Sequence, residues 1–229
     1  AAIAPHLLDA LMVQRRSAWR LRPVHLTAAL IALCALAMAG PTWERERPPF
    51  VEEKAPLAIA IDLSKDMDAI DLSPTRLERA KLKVKALLAL RQGARTAVYA
   101  YAGSTHLVLP LTDDSQLVQT FVDALQTRIM PVAGKNTALA LRTIDAALAK
   151  EDSPGTIVFL TDGVESGATA AFKAQVDSGR SQPLVLGFGT AQGGPVRADG
   201  DGFVQDAGGA QRFARLDVDA LKRLQQDAG

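Results

Sequence analysis

The chain has 229 residues, which is enough for one ordinary globular domain with an appendage or for two small domains. Its net charge of +1 gives no bulk attraction to nucleic acid, and 48% apolar residues are enough for a full core. The single cysteine, Cys34, excludes an intrachain disulfide framework and a cysteine-based zinc site, and the three histidines are scattered.

The first predicted element is a transmembrane helix over residues 23–43, which contain no Asp, Glu, Lys or Arg. A membrane span needs about 20 predominantly apolar residues, and this segment meets that length. Residues 1–22 are predicted to be a cytoplasmic or interfacial lead-in, because the arginines before the helix place its N-terminal side in the cytoplasm. Two alternatives are a signal peptide cleaved after residues 37–39 and a buried core helix.

The globular part is predicted to follow a Pro-rich, charged linker at residues 44–56 and to run over residues 57–229. Strands are predicted at 57–61, 96–101, 105–109, 156–161 and 183–188, helices at 74–91, 114–125, 137–149, 169–178 and 217–226, and a hairpin at 202–214. Alternating strands and helices predict an α/β domain whose central, mainly parallel sheet is covered by helices on both faces.

The predicted helix over 74–91 is amphipathic. It places Leu77, Ala80 and Val84 on one side and basic residues, among them Arg76 and Lys81, on the other. Such a basic side is predicted to be a solvated face.

Five side chains with oxygen donors follow predicted strands or precede a predicted helix. They are Asp62, Ser64, Asp66, Thr137 and Asp162. In an open α/β sheet, ligands bind at the carboxyl ends of the strands, so these groups are expected to converge there. Oxygen donors without sulfur or imidazole suit Mg²⁺, Mn²⁺ or Ca²⁺. Each residue alone could be a helix cap, but the joint occurrence favours a metal site.

This pattern resembles the von Willebrand factor A (VWA) domain family and its metal-ion-dependent adhesion site. The family's Asp-x-Ser-x-Ser loop corresponds to residues 62–66, its later Thr to Thr137, and the Asp of its Thr-Asp-Gly strand end to Asp162. The resemblance implies a Rossmann-like fold and a Mg²⁺-type site that binds an acidic group of a partner protein, without catalysis.

Further segments resemble the Bat proteins of the BatB type, a bacterial membrane-bound VWA group. They are residues 37–41, 71–81, 187–190 and 202–206. The resemblance implies a bacterial inner-membrane protein that acts with a MoxR-type AAA+ ATPase and other Bat-type proteins in envelope or complex assembly or in stress tolerance. The charge rule makes the VWA domain periplasmic, whereas such an ATPase is cytoplasmic. Contact would then run through the segments next to the membrane, unless the topology is the opposite.

One departure from the family pattern is Asp66, where the family prefers Ser. The extra carboxylate neutralises a metal more fully, so we expect weaker attraction of an acidic partner. Alternatively, Asp66 marks a degenerate site that the amine of Lys65 occupies, in a metal-free structural or scaffold domain. A third hypothesis is a metal-dependent hydrolase that uses the same carboxylates, although no residue near the site resembles a tuned general base.

Overall fold

A central sheet of five strands organises the domain in the computed structural model, which describes residues 23–38, 55–200, 202–206 and 208–228. The strands are β1 (Leu57–Asp62), β2 (Thr96–Tyr101), β3 (Thr105–Thr112), β4 (Gly155–Thr161) and β5 (Ser181–Gly187). Their order is β3-β2-β1-β4-β5, and only β3 is antiparallel to its neighbour. The predicted α/β class with a mainly parallel sheet is therefore confirmed.

Helix α1 (Pro23–Met38) forms a unit of its own, and all of its residues are exposed. Within the described ranges, no helix has both the length and the hydropathy that crossing a membrane requires. The lead-in at 1–22, residues 39–43 of the predicted span and most of the linker lie outside the described residues.

Helices cover both faces of the sheet. They are α2 (Arg76–Leu90), α3 (Ser115–Ala124), α4 (Thr137–Leu148), α5 (Ala168–Ser178) and α6 (Val218–Ala228), with 3-10 turns at Lys65–Asp68 and Thr127–Ile129. Ile59 and Ile61 of β1 face α2 and α3, whereas Ala58 and Ala60 face α4, α5 and α6. All six residues of β1 are buried, as expected for a strand with helices on both sides.

The segment between β5 and α6 is a small antiparallel structure. Its strands β6 (Gly194–Pro195) and β7 (Phe213–Ala214) pair with each other, and a bridge joins Gln205 to Gln211 near the predicted hairpin turn. The segment packs against the loop that follows β1, where Ala69 and Val196 form an antiparallel β-bridge.

Both outer strands of the sheet contain a proline. In β3 the strand continues past Pro110 to Thr112 instead of ending there, with a register shift against β2. In β5 the pairing with β4 passes through Pro183 without a break over all seven positions. Proline is tolerated in edge strands because one side of such a strand has no partner to receive its N–H.

Candidate metal centre

Asp62 lies at the carboxyl end of β1, the middle strand, and is completely buried. One carboxylate oxygen, Oδ1, accepts the backbone N–H of Ser64 at 2.8 Å, which fixes the start of the loop. The other, Oδ2, accepts the hydroxyl of Thr161 at 2.6 Å. The carboxylate is therefore held in one orientation by its own loop and by the neighbouring strand β4.

Asp162 follows β4 and is 5% exposed. Its Oδ2 accepts a hydrogen bond of 2.9 Å from Nη1 of Arg76. Burial raises the pKa of Asp162, and the negative charge of Asp62 adds to this rise, which the cations Lys135 and Arg76 do not overcome. The two neighbouring carboxylates of the cluster thus oppose each other's ionisation.

Arg76 is wholly buried at the start of α2, although the sequence pattern predicted it on a solvated face. Its Nε and Nη2 donate to the two oxygens of Asp71 at 2.8 Å each, and Nη2 also donates to the carbonyl of Ala214 at 2.9 Å. Burial lowers the pKa of Arg76, but Asp71 and Asp162 outweigh burial and raise it. The prediction was wrong because three buried acceptors compensate the charge.

Lys135 brings an ammonium group into the cluster from the loop before α4. Its Nζ lies 2.7 Å from Asp62 Oδ2 and also contacts Asp162 Oδ1. Burial lowers the pKa of Lys135, but the charges of Asp62 and Asp162 outweigh burial and raise it. Lys65, the predicted alternative occupant, instead pairs with Asp68 and Asp199 at 2.9 and 2.7 Å.

Three buried hydroxyl groups near these carboxylates, those of Ser64, Tyr101 and Thr137, make no hydrogen bond of ordinary geometry with a residue that the structure describes. Ser64 and Thr137 are two of the five predicted ligands. Thr137 is the first residue of α4 and is completely buried, directly after Asn136, whose side chain caps the helix at 3.0 Å. Buried hydroxyls normally find a partner, so the oxygens of Ser64 and Thr137 are available to bind a further group.

The buried phenol of Tyr101, at the end of β2, lies beside the same groups. Burial raises the pKa of Tyr101 well above its ordinary value, the charge of Asp62 raises it further, and the nearby hydroxyls of Thr161 and Thr137 lower it. Glu165 completes the surroundings, since its Oε1 accepts the backbone N–H of Ala138 at 2.9 Å. Burial raises the pKa of Glu165, but the backbone N–H of Ala138 and the neighbouring side chain of Thr137 outweigh burial and lower it.

Asp66 is the one predicted ligand that the structure does not bring into the cluster. Its two oxygens accept from Nε and Nη2 of Arg212 at 2.8 and 2.9 Å. The pair is half-exposed, with 30% of the Asp66 side chain and 47% of the Arg212 side chain accessible. The negative charge that Asp66 adds to the loop is therefore balanced by an arginine from the segment before β7.

The oxygen donors of the cluster are of the kind that a hard divalent cation prefers. In the part of the chain that the structure describes, no three His, Cys, Asp or Glu side chains group closely enough to hold a metal by themselves. Two buried carboxylates (Asp62 and Asp162) and two unpartnered hydroxyls (Ser64 and Thr137) nevertheless supply oxygen atoms of the kind that Mg²⁺, Mn²⁺ and Ca²⁺ prefer. These residues fit such an ion, with Lys135 as the competing cation.

Five residues of the cluster were not predicted: Arg76, Tyr101, Lys135, Thr161 and Glu165. A cavity of about 530 Å³ opens beside it and is lined by Ser64, Asp66, Gly134, Lys135 and Arg212 among others. Lys135 could have been found from its position two residues before the candidate ligand Thr137. The loop that brings Thr137 to the carboxylates brings Lys135 there as well.

The comparisons with known proteins identify the family of the domain. The sequence pattern of the von Willebrand factor type A domain matches residues 57–165, which include all five predicted ligands. BatB from Bacteroides thetaiotaomicron superposes with a TM-score of 0.70 at 26% identity, covering 76% of this chain and 86% of that one. The chain is a VWA domain protein of the BatB type. An aerotolerance-related membrane protein from Bacteroides fragilis also superposes with a TM-score of 0.70, at 28% identity, over 76% of this chain and 88% of that one.

Curated relatives of this VWA protein occur in mycobacteria. A UPF0353 protein from Mycobacterium sp. strain KMS is 32% identical over 203 residues, which is 82% of this chain. A UPF0353 protein from Mycobacterium tuberculosis is 30% identical over the same length. The chain spans about 59% of the length of these relatives.

Proposed function

We propose that this VWA domain holds one divalent cation, Mg²⁺ or alternatively Mn²⁺ or Ca²⁺, and uses it to bind another protein. The observation that carries the proposal is the pair of buried, unpartnered hydroxyls of Ser64 and Thr137 beside Asp62 and Asp162. These four residues would hold the ion, and Asp66 would join them only after leaving Arg212. The ion would supply a positive charge to which a carboxylate of the partner can bind.

We propose interaction and not catalysis as the use of the site. Both oxygens of Asp62 accept hydrogen bonds, from the backbone N–H of Ser64 and from the hydroxyl of Thr161, so this carboxylate is held in place and not free to act as a general base. His106 lies on the edge strand β3 and bonds to Ser104 at 2.9 Å. Phosphoester hydrolysis that disappears in Asp62→Ala would instead support the metal-dependent hydrolase.

The cellular setting is also a proposal. The Bacteroides fragilis relative is a membrane protein related to aerotolerance, which supports an anchored protein of the bacterial inner membrane that serves stress tolerance or complex assembly. We propose that the apolar segment 23–43 is the anchor, that the VWA domain is periplasmic, and that a MoxR-type AAA+ ATPase is a partner. Protease protection in spheroplasts tests the topology: a periplasmic domain is digested without lysis, and a cytoplasmic one is not.

A metal-free scaffold is the second candidate, and Lys135 favours it. The ammonium of Lys135 already contacts both Asp62 and Asp162, so these carboxylates have a counter-charge without any metal. In such a scaffold the VWA surface would bind its partner by shape and surface charge alone.

Calorimetric titration of Mg²⁺ and Mn²⁺ into the full chain separates the two candidates. Saturable binding of one ion per chain, abolished in Asp62→Ala and retained in Asp152→Ala, supports the metal site. Asp152 is a suitable control because it is an exposed aspartate that precedes β4, at the opposite end of the strand from Asp162. No binding at millimolar metal would leave the metal-free scaffold.

Association with a partner provides a separate measurement. If protease protection places the VWA domain on the cytoplasmic side, a MoxR-type ATPase from the same cell should co-purify with the full chain more strongly than with Asp62→Ala, because the ion itself would contact the partner. Equal co-purification of the parent and Asp62→Ala, with the domain on that side, would support the scaffold.

A further inference from the structure

We propose that Lys135 is a built-in competitor of the metal, so that a divalent cation enters the cluster only by displacing the Lys135 ammonium. The inference rests on the proposed metal-binding function and adds a residue that sets how tightly the site binds its ion. It goes beyond the oxygen ligands, because Lys135 would oppose the metal and would not hold it.

The contacts of Lys135 are those of a cation bound in the cluster. Its Nζ is 2.7 Å from Asp62 Oδ2, contacts Asp162 Oδ1, and lies 3.3 Å from the carbonyl oxygen of Gly163. Only 20% of the side chain is accessible to solvent. One ammonium thus bridges two buried carboxylates from different strands, which are also the two anionic donors available to a metal.

Lys135 and a divalent ion exclude each other on electrostatic grounds. The charged groups of this cluster are three carboxylates (Asp62, Asp71 and Asp162) and two cations (Arg76 and Lys135). A divalent ion bound to Asp62 would stand within a few ångströms of the ammonium, where repulsion is strong because water does not screen it. Arg76 is fixed by Asp71 and cannot leave, so Lys135 is the cation that must move.

The loop is built so that the side chain of Lys135 can leave while the backbone stays. The backbone N–H of Gly103 donates to the carbonyl of Val132 at 3.1 Å, and that of Asn136 donates to the carbonyl of Ala102 at 2.8 Å. These two bonds anchor the loop on both sides of Lys135. The adjoining cavity of about 530 Å³, which Lys135 itself lines, provides room for the flexible four-carbon stem.

Displacement would also change the surface that a partner meets. Lys135 leaving the cluster would enter the cavity that Lys65 and Arg212 also line, and both of those residues keep acidic partners of their own. The metal-bound state would therefore present one additional positive charge beside the ion. This charge would increase the attraction of an acidic group from the partner.

The decisive variant is Lys135→Met, which keeps a chain of similar length and removes the charge. We expect its Mg²⁺ affinity by calorimetry to rise about tenfold or more over the parent protein, with no change in Lys173→Met. Lys173 is an exposed lysine on α5 and serves as the matched control. If the parent and Lys135→Met bind Mg²⁺ with equal affinity, and Asp62→Ala abolishes binding, the inference is overturned and the metal site is retained. Absence of binding in both proteins would overturn the metal site and the inference together.

A second measurement needs no variant and so does not depend on how Lys135→Met folds. The rate of acylation of Lys135 by an amine-reactive ester, followed by mass spectrometry, should rise severalfold when Mg²⁺ saturates the parent protein. The rate at Lys173 should stay constant, and Asp62→Ala should abolish the dependence on Mg²⁺. A Lys135 rate that is unchanged while calorimetry shows bound Mg²⁺ would overturn the displacement.

Discussion

Arg76 and Asp162 are joined beneath the candidate site by a hydrogen bond of 2.9 Å, from a guanidinium with no solvent exposure to a carboxylate that is 6% exposed. The same guanidinium binds Asp71 and the carbonyl of Ala214. The orientation of Asp162 is therefore tied to the start of α2 and to β7, elements that contribute no candidate ligand.

Replacing Arg76 with methionine should destabilise the domain by about 3–5 kcal/mol, because it leaves the carboxylates of Asp71 and Asp162 buried without their counter-ion. Urea unfolding of the full chain measures the change. Arg79→Met, at an exposed arginine on the same helix, should change the unfolding free energy by less than about 0.5 kcal/mol. A loss below about 1 kcal/mol for Arg76→Met would contradict the role of Arg76 as the central counter-ion.

The stability contributed by Asp71 should depend on pH. Burial raises the pKa of Asp71, but Arg76 and the backbone N–H of Thr190 outweigh burial and hold it below the ordinary value of 3.8. A carboxyl whose pKa is lower in the folded state contributes fully above its ordinary pKa, and the contribution is lost as the pH falls through the folded-state value. The difference in unfolding free energy between the parent and Asp71→Asn should thus be constant from pH 7 to about pH 5 and shrink below pH 4. A difference that grows with acid would contradict the lowered pKa.

The ion pair with Arg212 is expected to prevent Asp66 from binding the metal. Arg212→Met frees the Asp66 carboxylate, so Mg²⁺ affinity should increase about threefold or more, and the additional change Asp66→Ser should cancel the increase. Because the pair is half-exposed, the unfolding free energy should fall by no more than about 1 kcal/mol. Arg215→Met provides the control, since Arg215 is exposed and close in sequence. If Arg212→Met binds Mg²⁺ no more tightly than Arg215→Met, Asp66 does not become a metal ligand when Arg212 is removed.

Gly103 should be required for the position of the Lys135 loop. A Cβ atom at Gly103 would stand 2.3 Å from the carbonyl oxygen of Ala133 and 2.7 Å from Cγ1 of Val132, so the loop would have to move. Gly103→Ala should cost about 1–3 kcal/mol of unfolding free energy and shift the Mg²⁺ affinity. At Gly167 a Cβ meets nothing within 4 Å, so Gly167→Ala should be nearly neutral. Equal stabilities of these two variants would show that the loop adapts without cost.

The fold could be predicted because its signals are local and repeated. The apolar run of β1 and the alternation of strands with helices report burial on both faces of a parallel sheet, and the structure has this arrangement. Polar residues at strand ends could likewise be assigned to one edge of the sheet. Asp62 and Asp162 do lie together there, bridged by one ammonium.

The charge partners could not be predicted, since they depend on contacts between distant segments. Helical periodicity placed Arg76 and Lys81 on the solvated side of α2, yet both are buried. Lys81 bonds to Glu78 and to the backbone carbonyl of Asp123, a contact that exists only after α3 packs against α2. In the same way, Asp66 pairs with an arginine 146 residues later, and periodicity contains no information on such a pair.

The prolines of the two outer strands affect how copies of the domain meet each other. An exposed strand edge with a continuous row of N–H groups is a template for joining sheets from different molecules, and this process leads to aggregation. Pro110 and Pro183 each remove one backbone N–H donor from an outer strand. The pairing of β5 with β4 is continuous, and the pairing of β3 with β2 continues with a register shift. Neither edge then offers an unbroken row to an incoming strand. Copies of the domain are therefore less prone to join their sheets edge to edge.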